Sequence, residues 1–356
     1  MLCLRMKRDF SCIELFFVVR ELQVFVGSRV SKVFQCSDKH FGVQCFKTGV
    51  GRIILNILRP GLLWFGSSKS VSGDFGFGKN VSRQIDGCKI VAISQVGSER
   101  IVRFDLKAGE KFCVLYVELF GKGNVMVCNA DNKMLSVWET QVWKEREFKT
   151  GSEYLLPKKS MNVFDVSEGE FADVLKRVGE SVSKTLASDV GIGRVYAEEV
   201  CLLSGIDKNK SRLVDEEILL LYANLVSLVK REVDARVVFV NAEVKDIIPF
   251  PLKVYESFEQ TSHSSYCAGL DSVLSKVIAA EESAKVSSVF DSKKRKLENV
   301  IEIQKIHLSA LEKEVRDSLR KGEVMYENYQ KLTKDWPSIA GRLIEKMERN
   351  ELVAWR

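Results

Sequence analysis

The 356 residues, 46% hydrophobic and 29% charged, exceed one ordinary domain of about 100–200 residues and exclude a disordered polymer. The 54 Lys+Arg against 48 Asp+Glu leave +6, which permits a polyanionic partner without demanding one. The excess is local: residues 1–105 carry 16 basic against 8 acidic groups, residues 106–269 carry 21 against 25, and residues 270–356 carry 17 against 15. Attraction to phosphate acts over a screening length of about 8–10 Å, so the N-terminal third is where nucleic-acid contact is expected.

In chain order, Ser11 followed three residues later by Glu14 is a capping-box pattern. Leu15, Val18, Val19, Leu22 and Phe25 then recur at helical spacing, which predicts an amphipathic helix ending near Gly27. The apolar run Ile13–Val19 contains Glu14 and stops at Arg20. It is far short of the roughly 20 apolar residues of a membrane span and shows no signal-peptide pattern. From Arg29 to Trp138 the period is two, predicting strands at Arg29–Gln35, Arg52–Leu58, Lys89–Ser94, Arg100–Leu106, Phe112–Phe120, Asn124–Cys128 and Met134–Trp138. Short turns such as Gly121-Lys122-Gly123 and Asp131-Asn132-Lys133 make this an antiparallel meander. The Gly/Ser-rich stretch Gly66–Gly78 is expected as a mobile loop before a short helix reaching Gln84.

Beyond Pro157 the pattern is helical: one helix marked by Phe171, Val174, Leu175 and Val178, another over Val182–Leu186, then Arg194–Ser204 and Asp215–Arg231. Ala235–Tyr255 returns to strand-like alternation. From Leu297, the positions Leu297, Ile301, Gln304, Leu308, Leu311, Val315, Ser318, Gly322, Met325, Tyr329, Leu332 and Trp336 alternate by four and three, a coiled-coil seam. Trp336-Pro337 is expected to break the helix, leaving only the short amphipathic stretch Ile339–Met347, so the seam's partner is expected from another chain or from an absent return arm.

Chemistry-bearing groups are sparse. Nine cysteines (Cys3, Cys12, Cys36, Cys45, Cys88, Cys113, Cys128, Cys201, Cys267) form no CxxC, and His40, His263 and His307 are scattered. Neither a disulfide framework nor a metal site is expected, no cofactor is implied, and a reducing cytoplasm is the simplest compartment. Cys113, Cys128 and Cys201 lie in apolar runs and read as small buried hydrophobes. Gly191-Ile192-Gly193 between two helical patterns reads as a helix-hairpin-helix turn, in which the second helix's N-terminal N–H groups face a phosphate and Arg194 reaches it; equally, it reads as a packing turn. Glu99-Arg100, taken alone, is a solvated turn pair, and Glu14 a capping carboxylate. Lys293-Lys294-Arg295-Lys296 reads as a solvated helix face. No P-loop or zincin pattern is present and Gly73–Gly78 lacks the context of a phosphate loop, so an enzyme is not expected.

Several blocks together carry a resemblance: Met6-Lys-Arg-Asp-Phe-Ser11 through Val19-Arg-Glu-Leu22, Gly27 to Gln35, Ser98-Glu-Arg-Ile-Val102, Val117-Glu-Leu-Phe-Gly-Lys-Gly-Asn124, Tyr196 to Cys201 with Gly205-Ile-Asp207, Ile248-Pro-Phe-Pro-Leu252 and Gly322 to Gln330. In this order they resemble the NFACT-domain proteins of ribosome-associated quality control, called RqcH in bacteria and archaea and NEMF in animals, formerly labelled fibronectin-binding proteins. The resemblance implies an α+β architecture. It would comprise an N-terminal antiparallel β domain (1–165) related to formamidopyrimidine-DNA-glycosylase N-terminal domains, a helix-hairpin-helix domain with a strand-like extension (166–268), and the outbound arm of a coiled coil (269–356). It implies binding of a large ribosomal subunit carrying peptidyl-tRNA, recruitment of charged tRNA, mainly Ala-tRNA, and template-free C-terminal tailing. The ribosome would make the peptide bonds and this protein would position tRNA, with no membrane and no small-molecule substrate.

The family's functional acid falls on Glu14 and its Asp-Arg pair on Glu99-Arg100. Both acids are Glu here where the family usually has Asp, placing the carboxylate about 1.5 Å farther out. Arg29, Lys32, Lys122, Gly191, Gly193 and Arg194 are the expected nucleic-acid contacts. The family continues through a return arm into a further domain, so the chain is expected to be a fragment or the product of a split gene. The weighed alternatives are a glycosylase-like enzyme, for which the N-terminal proline and Cys₄ cluster are missing, and a surface adhesin, for which no export signal is read.

Overall fold

The computed structural model describes residues 7, 9–66, 75–143, 146–157, 161–177, 179–331, 333–338 and 340–342. The chain forms two compact units, Met1–Ala279 and Ala280–Arg356.

The first unit opens with helix α1 (Cys12–Leu22), whose expected capping box is formed: the Glu14 N–H donates to Ser11 Oγ at 3.2 Å and the Ser11 N–H to Glu14 Oε2 at 2.7 Å. The helix is more than amphipathic. Ile13, Glu14, Leu15, Phe17, Val18 and Val19 are all buried, because packing comes from several sides. Phe16 stacks on Phe164 at 4.6 Å and Phe17 meets Phe250 edge-on at 5.2 Å. A short 3-10 turn, Gln23–Phe25, leads into Gly27, whose φ of 88° lets the chain reverse into the sheet.

Strands β1 (Arg29–Gln35), β2 (His40–Lys47), β3 (Gly51–Leu58) and β4 (Leu62–Gly66) form one antiparallel meander. After helix α2 (Gly76–Ile85), strands β5 (Lys89–Gln95), β6 (Ile101–Ala108), β7 (Lys111–Glu118), β8 (Asn124–Asn129) and β9 (Met134–Val137) form a second. They join as one nine-stranded sheet, β4-β3-β2-β1-β5-β6-β7-β8-β9. The seam between β1 and β5 is narrow, with one register pair, Arg29↔Lys89, supported by the Val30 N–H to Cys88 O bond at 2.8 Å.

All seven expected strands are present within two residues, and β2 and β4 are additional. β2 escapes alternation because both its faces are covered: Phe41, Gly42, Val43 and Cys45 are buried, and a Cβ on Gly42 would overlap the Phe34 ring. The turn Gly121-Lys122-Gly123 needs its glycines, which adopt φ of 61° and 68°. α2 begins at Gly76, inside the expected loop, whose residues 67–74 lie outside the described ones.

Two further short strands, β10 (Gln141–Val142) and β11 (Glu147–Phe148), form a hairpin. On that side a smaller core gathers Ile101, Tyr116, Met126, Phe148 and Tyr154. There Glu118, buried, accepts from Arg146 Nη2 and from Tyr154 Oη at 2.8 Å.

Helices α3 (Glu168–Leu175), α4 (Val182–Ser188), α5 (Arg194–Ser204) and α6 (Asp215–Val229) follow. Next come a three-stranded sheet of β12 (Arg236–Val240), β13 (Glu243–Ile248) and β14 (Glu259–Ser262), ordered β13-β12-β14, and helix α7 (Tyr266–Glu327). Val178, expected on α3, lies outside the described residues. These elements share one continuous apolar core with α1 and the large sheet. Carboxylates fasten the joints. Glu199 accepts the N–H groups of Lys253 and Val254, both at 3.0 Å, and Glu21 accepts those of Tyr266 and Cys267 at 2.7 and 2.8 Å, satisfying the first turn of α7. Cys113, Cys128 and Cys201 are free and buried, as expected.

In the second unit α7 carries the expected seam on a helix that began well before Leu297. Leu297, Ile301, Leu308, Val315 and Met325 are each at least half exposed, so the described residues leave the stripe uncovered. The expected break at Trp336-Pro337 is corrected. Among the described residues the interruption falls at Asn328, and 333–338 are helical with Pro337 inside them: the proline removes one helical hydrogen bond, to the carbonyl of the exposed Thr333, which water can satisfy. Of Ile339–Met347, Ile339 and residues 343–347 lie outside the described residues. Among the described residues, no helix is long and apolar enough to cross a membrane.

Candidate nucleic-acid interface

The first unit holds a cleft of about 570 Å³ between the N-terminal segment, the start of β6 and the turn from α4 to α5. The local chemistry of each wall follows from its sequence. Ser11 and Glu14 are fixed by the capping box. Gly191 and Gly193, at φ of 84° and 81°, turn the chain sharply, and Gly193 caps α5 with no side-chain acceptor at that helix start. Cys12 Sγ donates to Gly191 O at 3.4 Å, tying α1 to this turn; burial pushes the thiol up to about 12, so it is no nucleophile at neutral pH.

At the floor, Lys7 donates from Nζ to Glu14 Oε1 at 2.5 Å, to Asp246 Oδ1 at 2.6 Å and to Ile247 O at 2.8 Å. Burial by itself disfavours the ammonium, but the charges of Asp246 and Glu14 more than reverse this and raise its pKa. Glu14, 4% exposed, stays above its ordinary value because burial and the Asp246 charge outweigh the relief from Lys7. Asp246 also accepts from Tyr255 Oη at 2.9 Å. Beside them Tyr196, 1% exposed, lines the cleft with a hydroxyl near the Glu14 carboxylate that makes no hydrogen bond of good geometry among the described residues. At the mouth, Arg100 donates from Nη1 to Asp9 Oδ2 at 2.9 Å and to Phe10 O at 3.2 Å, and Arg194 pairs with Glu198 at 3.0 Å.

The expected site residues therefore divide. Glu14, Arg100, Gly191, Gly193 and Arg194 converge on one cleft. Glu99 does not line the cleft; its backbone closes the turn before β6, with its N–H donating to Val96 O and its carbonyl accepting from Gln95 Nε2, both at 3.0 Å. Nor do Arg29, Lys32 and Lys122. Arg29 donates to Gly87 O at 2.9 Å, Lys32 is exposed beside the bulge of β1, and Lys122 lies 3.7 Å from the Glu139 carboxylate that also binds Arg59. Arg194 reaches the cleft but is partnered by Glu198 one turn on, which the i,i+4 spacing foretells. Lys7, Asp9, Tyr196 and Asp246 also line the cleft, and the sequence does not mark them as site residues. A lysine and an aspartate before a helix cap look like solvated charges, and no local pattern announces an aspartate in β13.

The family model for the NFACT N-terminal and middle domains matches residues 12–350. The chain belongs to the NFACT family. Curated relatives of this NFACT chain include the archaeal Rqc2 homolog aRqcH of Methanocaldococcus jannaschii, 24% identical over 341 residues, which cover 91% of this chain and 51% of that protein. A second is the ribosome quality control complex subunit NEMF homolog of Drosophila melanogaster, 22% identical over 211 residues, 57% of this chain and 21% of that protein. The NFACT chain thus spans about half the length of the first and a fifth of the second. Among solved structures, the N-terminal part of the fibronectin/fibrinogen-binding protein from Streptococcus suis superposes with a TM-score of 0.61 at 19% identity. It covers 74% of this chain and 98% of that one. The fibrinogen-binding protein from Staphylococcus aureus gives 0.62 at 15%, covering 73% and 97%. At such identities these structures establish a shared fold.

Proposed function

We propose that this NFACT chain serves ribosome-associated quality control, binding the obstructed large ribosomal subunit with its peptidyl-tRNA and recruiting charged tRNA, Ala-tRNA foremost, for template-free tailing of the stalled chain. In this reading the ribosome makes the peptide bond and the protein positions tRNA. The observation that carries it is the convergence of Arg100 and Glu14, from the sheet and its first helix, with the Gly191–Gly193 turn on a single cleft. A guanidinium and the open N-terminal N–H groups of α5 facing one cavity suit a phosphodiester backbone, and the turn is read as a helix-hairpin-helix. The names of the two curated relatives support the same role, and the exposed stripe of α7 is read as one arm of a coiled coil.

The test is co-sedimentation with large ribosomal subunits and salt-dependent tRNA binding. Replacing Arg100 by Ala is expected to weaken tRNA binding about tenfold and to lower the salt slope by roughly one. Equal tRNA affinity in wild type and variant, together with no association with large subunits, would overturn the proposal.

A further inference from the structure

The floor of the cleft contains more organisation than a capping box needs. Lys7 precedes α1, Glu14 lies on it and Asp246 lies on β13, yet one ammonium spends its three donors on the two carboxylates and on Ile247 O. Lys7 and Glu14 side chains are each 5% exposed and Asp246 11%, so water offers no substitute partner. The capping box fixes only Oε2 of Glu14, through the Ser11 N–H, while Oε1 is held by Lys7. Asp246 is itself fixed, accepting the Ile247 N–H at 2.8 Å and the Tyr255 hydroxyl. Lys7 therefore refers the orientation of Glu14 to the β12–β14 sheet, and that sheet is packed in the same core as the helices bearing the Gly191–Gly193 turn.

We propose that Lys7 is a positioning residue, clamping the Glu14 carboxylate against Asp246 so that Glu14 holds a fixed place opposite the Gly191–Gly193 turn. The proposal rests on the reading of the cleft as a tRNA site. It differs from a merely structural ion pair in what survives when charge balance is restored. Lys7, Glu14 and Asp246 together carry a formal charge of −1. Lys7→Met alone leaves −2, whereas Lys7→Met with Asp246→Asn returns to −1, repairing the charge but leaving Oε1 of Glu14 unclamped.

The experiment compares wild type, Glu14→Gln, the Lys7→Met/Asp246→Asn double variant and Lys7→Arg in the full chain, by tRNA affinity and by urea unfolding. The expected result is a double variant that folds with cooperativity close to wild type yet loses about tenfold in tRNA affinity, as Glu14→Gln does. A folded double variant with wild-type affinity, where Glu14→Gln weakens binding, would overturn the positioning role and leave the site reading intact. Unchanged affinity in Glu14→Gln would overturn the site reading itself. Should the double variant not fold, Lys7→Arg decides. It keeps the charge, but its larger planar head cannot fill the same space without displacing Glu14, so wild-type affinity in folded Lys7→Arg also overturns the proposal.

Discussion

Replacing Lys7 by Met removes the ammonium from between Glu14 and Asp246 while keeping an unbranched side chain of similar length. At 2.5 and 2.6 Å, each attraction amounts to roughly 6 kcal/mol at an effective dielectric constant of about 20, much of it offset by the desolvation of three buried charges. Breaking such a buried pair from one side costs about 3–5 kcal/mol, because the remaining charge is stranded. Protonation of one carboxylate relieves part of this, so a loss of about 3 kcal/mol at pH 7 is expected, read from urea unfolding by far-UV circular dichroism and tryptophan fluorescence with an unchanged m-value.

The sign of the pH dependence follows from Glu14, whose folded-state pKa lies above its ordinary value through burial even with Lys7 present. Between those two values the native state binds more protons than the unfolded one, so this group's contribution to stability grows as pH falls through the folded pKa. Without Lys7 the folded pKa rises further, and the deficit of the variant must shrink from pH 7 toward pH 5. A loss below 1 kcal/mol, or a deficit that widens on acidification, would refute the reasoning.

Arg146→Met should destabilise the first unit by about 3 kcal/mol by stranding the buried Glu118 carboxylate; Tyr154 keeps only one bond to it, and calorimetry would check the loss. Tyr196→Phe removes a buried hydroxyl that makes no hydrogen bond of good geometry among the described residues, so the free protein should be unchanged or more stable by up to about 1 kcal/mol in the same unfolding assay. Gly123→Ala should cost about 2–3 kcal/mol, since φ is 68° and a Cβ would lie 2.3 Å from Pro60 O; an unchanged denaturation midpoint would contradict that.

Legibility in the sequence followed locality. Ser11-x-x-Glu14 closed its capping box as read, β1 has the predicted bounds, and α5 runs from Arg194 to Ser204 as the spacing demands. Strand β2 was hidden because burial on both faces erases the alternation that marks a half-buried strand. The arm of α7, expected from 269, starts at Tyr266, although its heptad seam is legible only from Leu297. Its first turns bury Tyr266, Leu270 and Leu274 against the core, whereas the seam beyond Leu297 follows heptads.

At the site, the resemblance led to Glu14, Glu99 and Arg100, of which Glu14 and Arg100 line the cleft. Both Glu99 and Arg100 lie in the turn before β6, where Arg100 lines the cleft and the Glu99 backbone closes the turn. By itself the sequence determined the strand meander, the glycine turn and the family, because each is written in residues a few positions apart. Only the tertiary structure decided that Lys7 and Asp246, 239 residues apart, share one buried charge network beneath the cleft. No local periodicity records which distant carboxylate an ammonium will find once water is gone.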